Sequence, residues 1–217
     1  MITRYLLTAF TAGFASGIWT PGPAAAQDPG QAKFKDIPMV LGALAGQSIP
    51  VLPLGLIAAD PRIPRDSVLG DPVRARQWAD GLIAEALMER GGEVKWVLPP
   101  DLRRRARRGA GLIADPDHLG QALLRDSGAD RSVPEPLRSS LRSIAAVAGD
   151  RYVLVPAAVT LVADSTGGIS ASISMVMVNA RIGRVEWRTW ATGAGPTLSA
   201  ALRSALATVL PLDLDGQ

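Results

Sequence analysis

Three runs of β-branched and apolar residues, 151–162 (RYVLVPAAVTLV), 169–180 (ISASISMVMVNA) and 185–191 (VEWRTWA), follow one another with only the turn clusters ADSTGG and RIGR between them. Connections this short impose antiparallel pairing, because a parallel return needs a crossover of about a dozen residues or more. The chain must therefore build a three-strand meander, and the remaining elements must cover its faces.

The segments that could do so have clear periods. Residues 49–59 (IPVLPLGLIAA) form a continuous apolar run, as expected of a strand covered on both faces, with Pro53 marking a bulge or an edge. Residues 71–90 place Ala75, Trp78, Ala79, Leu82, Ile83, Ala86 and Leu87 on one helical stripe, with Asp71 as N-cap, Pro72 at the first helical position and Gly91 and Gly92 as the stop. Residues 93–98 (EVKWVL) give a short strand with Val94, Trp96 and Leu98 on one face, which completes a right-handed, parallel βαβ unit. A second stripe (Leu137, Leu141, Ile144, Ala145, Ala148) starts behind Pro136 and ends at Gly149. A third (Leu198, Ala201, Leu202, Ala205, Leu206, Val209, Leu210) ends at Pro211. Residues 37–47 are apolar but interrupted by glycine, which leaves a short helix and irregular packing both open. The fold class expected is α/β: a mixed sheet of about five strands, two from the βαβ unit and three from the meander, covered by amphipathic helices.

The amino terminus has three zones: Met1 to Arg4 with one positive charge, a mostly apolar stretch to Trp19, and TPGPAAAQ with Ala24, Ala25 and Ala26. This is the form of a secretory signal peptide, too short and too diluted by Thr, Gly and Ser for a span of about 20 residues. Four zones follow along the chain: signal peptide 1–26, a loosely structured segment 27–48, a single α/β domain 49–211 and a tail 212–217. The protein should work in the bacterial periplasm or as a secreted protein, and its intact mass should correspond to a chain starting near Gln27. A species retaining residues 1–19 would make the segment an anchor.

Composition narrows the chemistry. With 217 residues and 47% apolar side chains the chain can bury a real core, and its net charge of +3 does not by itself point to nucleic acid. The absence of cysteine removes thiolate metal sites, thiol nucleophiles, disulfides and lipobox attachment. His118, the sole histidine, is expected on a solvent-facing first turn behind an N-cap at Asp115, and one histidine does not make a metal or catalytic site alone. The Asp-Ser/Thr-Gly stretches at 126–128 and 164–168 read as turns, since these residues favour turn backbones. No phosphate loop, G-x-G-x-x-G or G-x-S-x-G pattern occurs, and no cofactor is expected.

Two features point to contact surfaces instead. Residues 101–110 (DLRRRARRGA), taken as a helix, fan Arg103, Arg104, Arg105, Arg107 and Arg108 across about 200° while Leu102 and Ala106 dock. Such a face is either solvated and met by nearby carboxylates, or suited to anionic lipid, glycan or an acidic partner. In 185–191, alternation puts Val185, Trp187, Thr189 and Ala191 on one face and Arg188 and Trp190 on the other, where Trp190 is either core or an aromatic anchor for a partner.

The VLPL strand, the KWVLPP strand, the RYVLVP meander and the closing NARIGRVEW resemble the extracytoplasmic group that includes the TolB amino-terminal domain, the curli secretion lipoprotein and the peptidoglycan-synthase activator lipoprotein. In that group a strand ends in an Asp-x-x-Gly-x-(Val/Ile)-x-Trp hairpin before a carboxy-terminal helix. Here Gly183, Val185 and Trp187 stand at those places, Asn179 lies one residue before the place of the usual Asp, and the lipobox cysteine of several members is missing. The resemblance implies a non-enzymatic envelope protein that acts by contact with an envelope protein partner. The alternatives are a binding module for an anionic envelope polymer or membrane surface, and a hydrolase assembled from distant carboxylates. Nucleic acid is not expected as a partner, and the sequence leaves the oligomeric state open.

Overall fold

The computed structural model describes residues 39–64, 68–109, 111–125, 131–148, 151–164 and 167–211. The signal segment, residues 27–38, the Asp126 loop and the tail 212–217 lie outside them. The meander is the backbone of the molecule: β4 (Tyr152–Ala163), β5 (Ile169–Asn179) and β6 (Arg184–Gly195) pair antiparallel in that order.

On the other side of β4 runs the 49–59 segment. It is broken into β1 (Ser48–Pro50) and β2 (Leu56–Ala59). β2 pairs parallel with β4, β1 pairs parallel with β3 (Lys95–Val97), and an isolated parallel bridge between Val51 and Leu154 joins the two sheets. The interruption falls around Pro53, which has no amide hydrogen to donate. The amides of Leu52 and Gly55 still bond across to Leu154 (2.9 Å) and Pro156 (3.0 Å) on β4. The expected continuous strand is thus two short ones in register along the same neighbour.

The βαβ unit closes through α1 (Pro72–Arg90), whose N-cap Asp71 accepts from the amides of Val73 (2.7 Å) and Arg74 (3.3 Å), with Gly91 at its C-cap. α2 (Pro99–Arg108) follows β3 directly, α3 (Leu137–Ala148) precedes β4, and α4 (Leu198–Val209) ends the described chain. The helix expected to start behind the N-cap Asp115 is a single 3-10 turn, Pro116–His118.

The sheet separates two cores. Against one face α1 and α4 bury Ile83, Leu87, Leu202 and Leu206 over Leu154, Leu161, Ile173 and Met175. Against the other, α2, α3 and the 113–124 turns bury Leu102, Leu124, Leu141 and Ile144 over Val153, Val155, Val176 and Val178. Met39 and Leu44 are buried in the first core, and the Met39 amide donates to Val209 O at 2.9 Å, so the described chain enters and leaves at one corner.

α4 lies unusually close to β6. A Cβ built on Gly193 would stand 2.1 Å from Ala205 N and 2.7 Å from Ala201 O, so only glycine lets helix and strand backbones approach this far. β6 runs on to Gly195, past the expected end at 191, as its ladder with β5 continues to the pair Ile169 and Gly195.

A bulge corrects the expected alternation on β6. Trp187 pairs with Met177 and Val185 with Val178, which leaves Glu186 without an opposite residue. Val185 therefore packs in the second core while Trp187 packs against the first. Trp187 is half-buried at the margin of that core, not enclosed between sheet and helix as the sequence suggested.

Candidate functional site

The arginine run on α2 does not face solvent as a unit. Arg103 turns inward, where its Nε and Nη2 donate to both oxygens of Asp117 (2.8 and 2.7 Å) and Nη2 also reaches Asp80 Oδ2 at 3.2 Å. Asp80 lies on α1 and is only 7% exposed. Its other oxygen accepts the Leu54 amide at 2.7 Å, in the break between β1 and β2. Burial pushes the Asp80 carboxyl above the ordinary aspartate value, against the lowering effect of the Leu54 and Arg103 bonds. The Arg103 guanidinium is held above its ordinary value, chiefly by its bond to Asp117. One arginine thus latches α1, α2, the 116–118 turn and the strand break together.

The other α2 arginines divide. Arg104 pairs with Asp101, and Arg105 Nη1 donates to Val147 O at the end of α3 (3.3 Å). Arg107 and Arg108 are exposed and make no hydrogen bond or ion pair among the described residues. The expected fan of five outward guanidiniums is corrected to four, because Asp80 and Asp117 draw Arg103 into the fold.

A cleft of about 350 Å³ beside α2 is lined by Arg103, Arg107, Ile113, Asp115 and Asp117, so two carboxylates do converge. Both are engaged: Asp117 by Arg103, and Asp115 by the Asp117 amide (3.0 Å) and His118 Nδ1 (2.9 Å). Those two bonds, the amide first, hold the Asp115 carboxyl below the ordinary range. A general acid needs the reverse shift, so the pair has the chemistry of a turn brace. His118 is exposed on its 3-10 turn, where the sequence placed it. Of the 164–168 turn, Asp164 accepts the Gly168 amide at 2.7 Å and returns its own amide to Gly168 O at 3.0 Å; the backbone bonds are those of a turn.

On β6, Arg188 and Trp190 stand opposite Val176 and Ser174, on the second-core face, and both are half-buried. β6 is the last strand of its sheet. Its start is covered by residues 131–133, through the Ser132 and Arg184 bridge and the bonds Val185 N to Arg131 O (2.7 Å) and Val133 N to Gly183 O (2.9 Å). Among the described residues no strand pairs with its outer edge from Glu186 to Gly195. The indole nitrogens of Trp187 and Trp190 and the Ser174 hydroxyl are shielded from solvent without a hydrogen-bond partner, a costly state for buried polar atoms.

One grouping has no local signal in the sequence. Arg131, Arg138, Arg181 and Arg184 come from three separate stretches and lie by the turn between β5 and β6, with Arg142 one turn further along α3 than Arg138. A search for basic runs misses them, because no two are adjacent.

The fold and these surfaces define a mixed-sheet α/β protein with two helical layers, a β6 edge that no strand pairs with from Glu186 to Gly195 among the described residues, and exposed arginines on α2 and by the β5–β6 turn. Among solved structures the chain is similar to the LpoB C-terminal domain from Salmonella enterica, with 17% identity over 72% of this chain and 87% of that one, at a TM-score of 0.40. It is also similar to PelC from Paraburkholderia phytofirmans, described as a dodecamer (18% identity, 77% and 88% covered, TM-score 0.39). A third is the lipoprotein GNA1162 from Neisseria meningitidis (16% identity, 69% and 81% covered, TM-score 0.35). LpoB is the peptidoglycan-synthase activator lipoprotein of the group that the sequence motifs resemble. No family model and no curated protein matches the chain.

Proposed function

We propose that this chain is a non-enzymatic protein of the bacterial envelope, exported by residues 1–26 to the periplasm or beyond, whose domain at 49–211 acts by contact with another protein. The observation that carries this reading is the outer edge of β6. A long strand edge left open offers backbone donors and acceptors to an incoming segment, and soluble proteins usually cover or charge such edges. Trp187, Arg188 and Trp190 flank it half-buried, and Trp and Arg are the side chains that most often dominate contact energies. The α2 surface adds Arg107 and Arg108, which are exposed and without partners among the described residues.

Photo-crosslinking in intact cells tests the reading. A photoreactive residue at position 190 should give a discrete covalent adduct with a second polypeptide. The same residue at Gln77, exposed on α1, should give none. Equal behaviour of the two positions would remove β6 as the contact.

A further inference from the structure

Four arginines stand around the turn between β5 and β6, placed there by backbone contacts. Arg131 O accepts the Val185 amide, Ser132 bridges Arg184, and Arg181 lies in the turn itself. Arg138, on the first turn of α3, lies against Gly183: a Cβ there would come within 2.6 Å of its Cδ. Gly183 also has φ of +66°, so the turn and the seat for Arg138 both require glycine. Arg142 follows one helical turn later and is exposed. None of the five makes a side-chain hydrogen bond or ion pair among the described residues. Of the adjacent described carboxylates, Glu135 accepts from Ser139 (2.8 Å to Oγ) and also feels the charges of Arg138 and Arg142, while Glu186 accepts from Asn179 Nδ2 (3.3 Å). At the tip of the turn, between Arg181 and Gly183, Ile182 stands 54% exposed.

An exposed apolar side chain on a hairpin turn, accompanied by the exposed arginines Arg131, Arg181 and Arg184 with no hydrogen-bond or ion-pair partner among the described residues, matches the layered chemistry of an anionic lipid surface. The apolar group reaches the boundary of the acyl region, and the guanidiniums take phosphate oxygens in bidentate fashion. A soluble polyanion would use the arginines but has no use for Ile182, and a groove on an acidic protein would need a concave match to the tip. We propose that the β5–β6 turn, with Ile182, Arg181, Arg184 and the neighbouring Arg131, flanked by Arg138 and Arg142 of α3, is a docking surface for the anionic phospholipid face of a membrane. It is distinct from the β6 edge and does not depend on a protein partner.

Cosedimentation of the purified chain with phosphatidylcholine vesicles, with and without phosphatidylglycerol, tests this at low and high salt. The wild type should sediment with the anionic vesicles, release as salt rises and ignore the zwitterionic ones. Arg142→Ser, Arg181→Ser and Arg184→Ser combined should lower the partition coefficient by about tenfold or more, and Ile182→Ser alone should lower it further at high salt than at low. Arg107→Ser with Arg108→Ser, on α2, should leave it within about twofold, and circular dichroism of each variant separates lost binding from lost folding. Equal losses from the turn and α2 variants would reduce the effect to net charge and overturn the proposal. So would indifference to anionic vesicles, and indifference coupled with arginine-dependent binding to polyglutamate would reassign the surface to an acidic polypeptide.

Discussion

Arg103→Leu should cost about 3 kcal/mol at neutral pH, and the loss should shrink as the solution is made more acidic. Breaking a buried ion pair from one side leaves the other charge without compensation, at about 3 to 5 kcal/mol. Asp80 is the charge left behind. Its Oδ1 would keep the Leu54 amide, but Oδ2 would lose the Arg103 guanidinium in a site that is 7% exposed. Burial already holds the Asp80 carboxyl above its ordinary value in the wild type, and removing Arg103 raises it further. A carboxyl whose folded value exceeds its unfolded one binds its proton more tightly in the folded state. Its contribution is therefore complete below the unfolded value, about 4, and is lost as pH rises through the folded one. Asp115 has the opposite shift, and its contribution is lost only as pH falls below the ordinary range, so from neutral pH down toward the unfolded aspartate value, about 4, the Asp80 response stands apart from it. Urea unfolding across that interval should show the Arg103→Leu variant gaining stability on acidification. Arg103→Leu combined with Asp80→Asn should be flat with pH and more stable than the single variant at pH 7, because the amide oxygen still accepts from Leu54 and carries no charge. Identical midpoints for wild type and Arg103→Leu would show that the latch contributes nothing.

Gly193→Ala should destabilise by about 3 kcal/mol, at the upper end of what overpacking a core costs. The added methyl would meet Ala205 N at 2.1 Å, Ser204 C at 2.5 Å and Ala201 O at 2.7 Å. These are helix backbone atoms, which have no rotamer through which to escape. α4 would have to retreat as a body by about 1 Å, and a close-packed interior does not absorb that. Leu202, Leu206 and Val209 would lose their fit over the first core. The same substitution at Gly81 should have the opposite sign. That residue lies inside α1 with nothing within 4 Å of the position a Cβ would take, so alanine there should stabilise by about 1 kcal/mol through helix propensity. Thermal unfolding of the two variants beside wild type should rank them Gly193→Ala, wild type, Gly81→Ala, and any other order contradicts the packing described for α4.

The meander was legible because apolar runs and short turns leave antiparallel pairing no competitor, and α1 was legible because Asp71 and Pro72 mark its start within the local chain. What the sequence could not show depends on contacts distant along the chain. Arg103 and Arg107 are one helical turn apart and look alike on a helical wheel. Only the arrival of Asp80 and Asp117 on other elements turns the first inward and leaves the second exposed. The break in the 49–59 run had a local hint in Pro53, but the acceptor that makes it tolerable for the Leu54 amide lies 26 residues further on. The bulge at Glu186 had no hint, since each residue around it suits a strand, and it changes which core receives Val185. The arginines by the β5–β6 turn were invisible for a related reason: the sheet, α3 and the 131–133 segment have to assemble before Arg131 and Arg138 come to lie beside Arg181 and Arg184.

The bond from Met39 to Val209 sets how the molecule would carry load. Because the described chain enters and departs side by side, with Arg90 Nη1 also holding Leu210 O at 2.9 Å in that corner, tension between the two ends is applied to neighbouring points. Such a pull peels α4 from its corner one bond at a time, whereas the long β4–β5 and β5–β6 ladders would bear force together only if sheared from opposite poles. A tether attached at one end alone instead suspends the whole sheet from that corner and leaves its ladders unloaded.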